Sequence, residues 1–160
     1  MCHSPHAPAT LQCIGAASEN SAFFDYARRL TRDNMQADYR RHGLVWDDAH
    51  FARYWSETQN YLIRAGDSWL GVLRLYLEPP ACYLRDLQIA PCRQRQGLGR
   101  WCLQRVTALA LANGCRHLRL RAFHDSAAVR LYQRHGFHLV GREGALVRME
   151  MVLAEPLATT

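Results

Sequence analysis

Leu84-Arg-Asp-Leu-Gln-Ile-Ala-Pro-Cys-Arg-Gln-Arg-Gln-Gly-Leu-Gly-Arg100 is the stretch on which the reading of this chain turns. Its first residues complete a strand-like run from Cys82 to Ile89, which Pro91 stops because proline gives a ladder no hydrogen bond. From Leu98 onward the apolar positions Trp101, Cys102, Val106, Leu109 and Ala110 follow helical spacing until Asn113-Gly114, a helix stop. Strand, turn, Gly-x-Gly and helix therefore succeed one another. A helix start carries backbone N–H groups without intrahelical partners and a partial positive charge, which together bind a phosphate or pyrophosphate. Gly97 and Gly99 let that backbone approach an anion with no Cβ in the way. Arg93, Arg95 and Arg100 add charge-assisted donors around it.

Working outward, the period of the apolar residues gives the remaining elements. Thr10 to Ala16 is strand-like, and a first helix is expected over Ser21 to Leu30 or somewhat beyond. Asp47 and Asp48 open a second helix, whose Phe51, Tyr54 and Trp55 fall on one face as a core stripe. Tyr61–Arg64 and Trp69–Leu77 form a hairpin about the turn Ala65-Gly66-Asp67-Ser68, closed by Glu78-Pro79-Pro80. Downstream come a strand His117–Phe123, a helix Ser126–Arg134 ended by His135-Gly136, and strands Phe137–Val140 and Val147–Leu153. This is a β-rich mixed α/β order with no internal repeat.

At 160 residues the chain is about one domain long. Its charge is +6 with histidines neutral, and all 20 basic residues are arginine. Guanidinium pairs bidentately with phosphate, yet arginines dispersed along a chain with no recognition motif argue against a nucleic-acid partner. Six cysteines without a Cys-x-x-Cys pair read as buried thiols of a reduced compartment. Met1-Cys2-His3-Ser4-Pro5-His6 lacks the second cluster a metal site needs, so no metal is expected. No apolar run is long enough for a membrane span and no signal-type stretch opens the chain, so a cytoplasmic protein is expected.

Two glycine-rich phosphate sites are excluded at once. A dinucleotide fingerprint needs glycine or alanine where Cys102 stands. An ATPase phosphate loop needs a lysine, and the chain has none. What remains, Gln94-x-x-Gly97-x-Gly99, resembles the acetyl-CoA-binding signature of the GCN5-related N-acetyltransferase (GNAT) superfamily. Asp125-Ser-Ala-Ala-Val-Arg-Leu-Tyr-Gln-Arg-His-Gly-Phe137 is similar to that family's second signature, in the right order and at the usual separation. The resemblance covers Leu84 to Val140, and Arg148–Leu153 looks like the family's closing strand.

The resemblance implies the acyl-CoA N-acyltransferase fold: an α/β (α+β) domain whose mixed, mostly antiparallel central sheet of six to seven strands is flanked by about four helices. A flexible N-terminus over residues 1–9, one N-acetyltransferase domain over 10–155 and a tail over 156–160 are expected. It implies acetyl-CoA as co-substrate, its pantetheine pairing with the backbone of Leu87, Gln88 and Ile89. Its pyrophosphate would sit on the amides of Arg95, Gln96, Gly97, Leu98, Gly99 and Arg100, with Gln94 opening the turn. Ala128 and Asp125 would contact it from the second signature; Asp125 stands where the family has asparagine, so it caps a helix but donates no amide hydrogen bond. Tyr132 matches the tyrosine that protonates the departing sulfur.

Relatives place a glutamate or histidine base four or six positions before the residue matching Ile89, and here those positions hold Arg85 and Tyr83. Arginine is no base at neutral pH, so Arg85 is expected to bind an anionic group of the acceptor, with Tyr83 beside it. Asp86 is the nearest carboxylate and a base candidate. Strict alternation sends it to the opposite face, where it reads equally as the buried partner of an arginine. His124 reads as a strand-end histidine. The acceptor pocket is expected beneath the two N-terminal helices, including Asn34-Met35 through Trp46. The expected reaction is direct acetyl transfer in a ternary complex to an amine, with a small molecule preferred over a peptide N-terminus as acceptor. A non-catalytic acyl-CoA-binding module is the rival reading, and the resemblance leaves room for a homodimer.

Overall fold

In a computed structural model of the chain, residues 8–14 and 21–153 are described. The elements run β1 (Thr10–Cys13), α1 (Ala22–Arg41), α2 (Asp48–Trp55), β2 (Gln59–Ala65), β3 (Ser68–Glu78), β4 (Ala81–Ile89), α3 (Leu98–Ala112), β5 (His117–Phe123), α4 (Ala128–His135), β6 (His138–Glu143) and β7 (Leu146–Val152). The strands form one mixed sheet in the order β1-β2-β3-β4-β5-β7-β6. β4 and β5 are parallel, whereas β1/β2, β2/β3, β5/β7 and β6/β7 are antiparallel. Seven strands and four α-helices, among the described residues, match the expected fold class. The Met1–His6 cluster and the 156–160 tail lie outside those residues.

The chain divides into two compact units, Met1–Leu75 with Arg85–Gly99 and Tyr76–Leu84 with Arg100–Thr160. In the first, α1 opens where Ser21 accepts the Phe24 amide at 3.0 Å, satisfying an orphan donor of the first turn. Phe23, Phe24, Ala27 and Leu30 turn inward and pack with Phe51 and Trp55 of α2, Leu62 of β2 and Val72 of β3. Tilted and edge-on contacts join the rings, Phe24 meeting Trp55 at 5.2 Å. Tyr54 of the expected stripe is instead 36% exposed, because eight residues of helix turn only Phe51 and Trp55 fully inward.

α1 continues to Arg41, well past Leu30, and ends where Gly43 takes a left-handed φ of 66° and the Leu44 amide bonds the Tyr39 carbonyl at 2.8 Å. Its last three turns carry few apolar residues. They are held by polar contacts that apolar periodicity does not register.

In the second unit, Cys102, Leu103, Val106 and Ala110 of α3 are buried, as are alternate residues Leu118 and Leu120 of β5 and Val147 and Met149 of β7. α4 opens at Ala128, two residues later than expected, and the oxygen that accepts the Ala128 amide is Ser126 Oγ at 3.2 Å rather than a carboxylate of Asp125. Cys82, Cys102 and Cys115 are buried free thiols as expected. Cys13 is exposed, and Cys92 is exposed and disulfide-bonded, so the reading of all six as buried thiols does not hold. No helix among the described residues is long and apolar enough to cross a membrane.

Candidate active site

β4 is the strand from which the site is built. Over Ala81–Leu84 it pairs in parallel with His117–Leu120, and the shared register ends at Leu84↔Leu120. The five residues Arg85–Ile89 lie beyond that ladder. On their other side β3 approaches unusually closely: a Cβ built on Gly71 would lie 2.2 Å from the Gln88 carbonyl oxygen, so only glycine fits. The Ala90 amide then bonds the Leu70 carbonyl at 2.8 Å.

After Ile89 the chain enters a single 3₁₀ turn, Pro91–Arg93, with the Arg93 amide on the Ala90 carbonyl at 2.8 Å. Gln94 Nε2 reaches back to the Ile89 carbonyl at 3.0 Å, and Gln96 Nε2 donates to the Cys92 carbonyl at 3.1 Å. The loop is thus tied down by its own glutamines. Arg95 has a φ of 61° and Gly97 a φ of 81°. A left-handed residue other than glycine costs about 1–2 kcal/mol, so the turn at Arg95 is held against a local penalty. Such alternation of backbone hand gathers successive N–H groups into an anion-binding concavity, and here it leads straight into the first turn of α3. Arg93 Nε is buried without a hydrogen-bond partner, an orphaned cationic donor on the same loop. The residues from Arg93 to Arg100 therefore fit a diphosphate.

Asp86 and Gln88 share a face of β4 with each other and with a polar network that the sequence reading missed. Arg74 of β3, 4% exposed, donates to Asp86 Oδ2 at 2.8 Å and, through Nε, to Thr58 Oγ1 at 3.4 Å. Its guanidinium lies 4.5 Å from the centroid of Phe51 and 5.4 Å from that of Trp55. Thr58 donates to the buried Asn60 at 2.7 Å, and Asn60 donates to the Trp55 carbonyl at 3.0 Å. Gln88 Nε2 donates to Asp86 Oδ1 at 3.4 Å. Asn34 of α1 donates to Gln88 Oε1 at 3.2 Å and to the Ile89 carbonyl at 3.0 Å. Burial pushes the Asp86 carboxyl above the usual carboxylate range, against the pull of Arg74. Burial likewise lowers Arg74, against the support of Asp86. Burial and the Asp86 charge together raise the Tyr39 phenol, which places α1's last turns in the field of this pair. An unpaired guanidinium at this depth would cost several kcal/mol, so Asp86 is what makes Arg74 tolerable here. Asp86 thus sits opposite Arg85 as alternation required, with both carboxylate oxygens accepting hydrogen bonds. One signal was available: Arg74 stands in the apolar run Trp69–Leu77, in phase with Val72.

Arg85 is exposed, on the opposite face from Asp86. Tyr83 is half-buried, its hydroxyl accepting from Arg119 Nη1 at 3.2 Å and its ring 6.0 Å from that of Tyr76. Arg119 Nε in turn lies 3.4 Å from Glu150, whose other oxygen is 2.8 Å from His117 Nδ1. Tyr132 is 8% exposed, packed edge-on against Phe137 at 5.7 Å, and its carbonyl accepts the Phe137 amide at 3.0 Å. Leu87 and Ala128 are half-buried, Gln88 is buried, and Asp125 and His124 are exposed.

A seven-stranded mixed sheet whose central parallel strand runs into an anion-gathering turn and helix defines an acyl-CoA N-acyltransferase fold. The family model for the acetyltransferase (GNAT) family matches residues 24–137, and the chain belongs to that family. Among solved structures it is similar to an IAA acetyltransferase from Bacillus cereus, with a TM-score of 0.70 and 18% identity over 91% of this chain and 100% of that one. The PaiA N-acetyltransferase from Thermoplasma acidophilum, in complex with coenzyme A, gives a TM-score of 0.69 at 12% identity, over 91% of this chain and 99% of that one. The ribosomal-protein-S18-alanine N-acetyltransferase from Escherichia coli gives 0.64 at 16% identity, over 96% and 99%. No curated protein matches the chain by sequence.

Proposed function

We propose that this protein is an N-acetyltransferase that moves the acetyl group of acetyl-CoA directly to the amine of a small molecule within a ternary complex. The observation that carries the reading is the turn after β4, with left-handed backbone at Arg95 and Gly97 immediately before the α3 N-terminus and an orphaned guanidinium donor at Arg93. The backbone from Arg95 to Arg100 holds the diphosphate, and Leu87, Gln88 and Ile89 lie along the pantetheine. Because the Ile89 carbonyl already accepts from Asn34 and Gln94, a pantetheine amide pairing there displaces Gln94 or uses Leu87 instead. Asp125 and Ala128 extend the contact from the start of α4. Acetyl-CoA supplies an activated acyl group; the amide C–N bond forms as the C–S bond breaks.

Tyr132 donates its hydroxyl proton to the leaving sulfur. The amine needs help too: an amine of pKa near 10.4 is roughly 3.4 units from neutrality at pH 7, a cost of about 4.6 kcal/mol. Arg85 is too cationic to serve as base and holds an anionic group of the acceptor beside Tyr83. Arg85 and Tyr83 hold the family's usual base positions, and Asp86, the remaining base candidate, is tied to Arg74. The amine attacks in its neutral form, and the proton it sheds as the C–N bond forms passes to water, from which the Tyr132 hydroxyl is restored.

The test is twofold. Calorimetric titration with CoA is expected to show saturable heat, and its absence removes the reading. A panel of small amines and peptide N-termini, assayed with acetyl-CoA by free thiol release, is expected to favour small anionic amines. Preference for peptides would favour the N-terminal acetyltransferase reading, and CoA binding with no turnover a non-catalytic module. Tyr132→Phe is expected to lower turnover by about 10²-fold without weakening CoA binding. Wild-type turnover in that variant removes the general-acid role.

A further inference from the structure

We infer that the buried Arg74–Asp86 pair is a positioning device that acts, through Gln88 and Asn34, on the strand end along which the co-substrate is laid. The role rests on the function proposed above and deepens it. Asp86 takes Arg74 on one oxygen and Gln88 on the other. Gln88, its own side chain buried, takes Asn34, and Asn34 spends its second amide hydrogen on the Ile89 carbonyl. The chain of donors thus starts in the floor made by Phe51, Trp55, Thr58 and Asn60 and ends on a backbone atom of β4.

The placement explains why such a network is kept. The parallel register with β5 covers Ala81–Leu84, and Arg85–Ile89 is the part of β4 along which the co-substrate is proposed to pair. A strand edge that must pair with a ligand cannot also be pinned along that edge by a neighbouring strand. It has to be held from its face, and a linked set of polar side chains does so with direction that apolar packing lacks. A buried ion pair contributes little net stability compared with apolar residues of the same volume. Orientation, not stability, is then what this one supplies.

Four proteins test the inference: wild type, Asn34→Asp, Asn34→Ala, and the double variant Arg74→Met with Asp86→Leu. Asn34→Asp keeps the shape of the side chain but turns an oxygen toward the Ile89 carbonyl and Gln88 Oε1 in place of a donor. Calorimetry with CoA is expected to show affinity reduced about tenfold or more, with the KM for acetyl-CoA rising in step and kcat changing far less. Asn34→Ala, which deletes the donor without adding repulsion, is expected to fall between. The double variant is expected to melt at or above the wild-type temperature while binding CoA as weakly as Asn34→Asp. Should it fail to fold, the Asn34 pair carries the test, because that side chain is half-buried on a helix. CoA affinity equal to wild type in Asn34→Asp overturns the positioning role alone. No heat with the wild-type protein removes the proposed function first and this role with it.

Discussion

The two halves of β4 are one continuous strand held by different physics. Ala81, Cys82 and Leu84 are buried, and their half is locked by a regular parallel ladder to β5. Arg85 to Ile89 follows the end of that register and is held by a side-chain relay from Arg74 to Asn34 and by the tight passage of Gly71 past Gln88. The first half is a piece of ordinary core. The second is, on the function proposed above, the edge along which the co-substrate lies, and damage to the two should therefore appear in different measurements.

Leu84→Ala gives the largest expected loss of stability. Its side chain is 5% exposed, and removing it costs the transfer energy plus a cavity, about 2–5 kcal/mol. Urea unfolding measures this loss, while CoA affinity in the folded protein should stay within about twofold of wild type, since the relay's hydrogen bonds run through Arg74, Asp86, Gln88 and Asn34 and not through this side chain. Gly71→Ala is expected to cost less, about 1–3 kcal/mol, because β4 shifts to relieve the clash with the Gln88 backbone. Yet it should weaken CoA binding at least about tenfold, since the shift falls on the strand end that the relay positions. If the two variants lose affinity equally, the division of the strand is wrong.

How much of this could be read beforehand follows the same division. The turn from Gln94 to Gly99 and the second signature were legible because backbone needs fix residue type there: glycine for a left-handed φ at Gly97, and a helix start at Leu98. The order of strands along the chain was legible from apolar alternation. The extension of α1 from Leu30 to Arg41 was not, because its later turns carry Asn34, whose side chain bonds Gln88 and the Ile89 carbonyl, rather than a continued apolar face. The opening of α4 was misplaced because Ser126 and Asp125 are both competent caps, and sequence does not rank neighbouring caps. Alternation put Asp86 on the correct face, opposite Arg85. It could not supply the partner, since pairing Arg74 with Asp86 requires knowing that β3 and β4 are neighbours.

The smallest effect sharpens the comparison by titration. Burial, with Cys115 nearby, pushes the Cys82 thiol up to about 12, whereas the carboxyl of Asp86 in the other half is raised by burial but opposed by Arg74. A thiol that keeps its proton when folded and loses it when unfolded makes unfolding release a proton above the ordinary thiol range. Stability therefore falls as pH rises through that range, by at most about 1.4 kcal/mol per pH unit for this group. Urea unfolding between pH 8 and 10 should show a slope that Cys82→Ala reduces, and Cys102, also raised to about 12, contributes in the same direction. Alkylation at pH 8 gives the independent check. Exposed Cys13 should react promptly and Cys82 only at the rate of opening. Prompt modification of Cys82 in the folded protein would mean that the first half of β4 is no more firmly closed than the second.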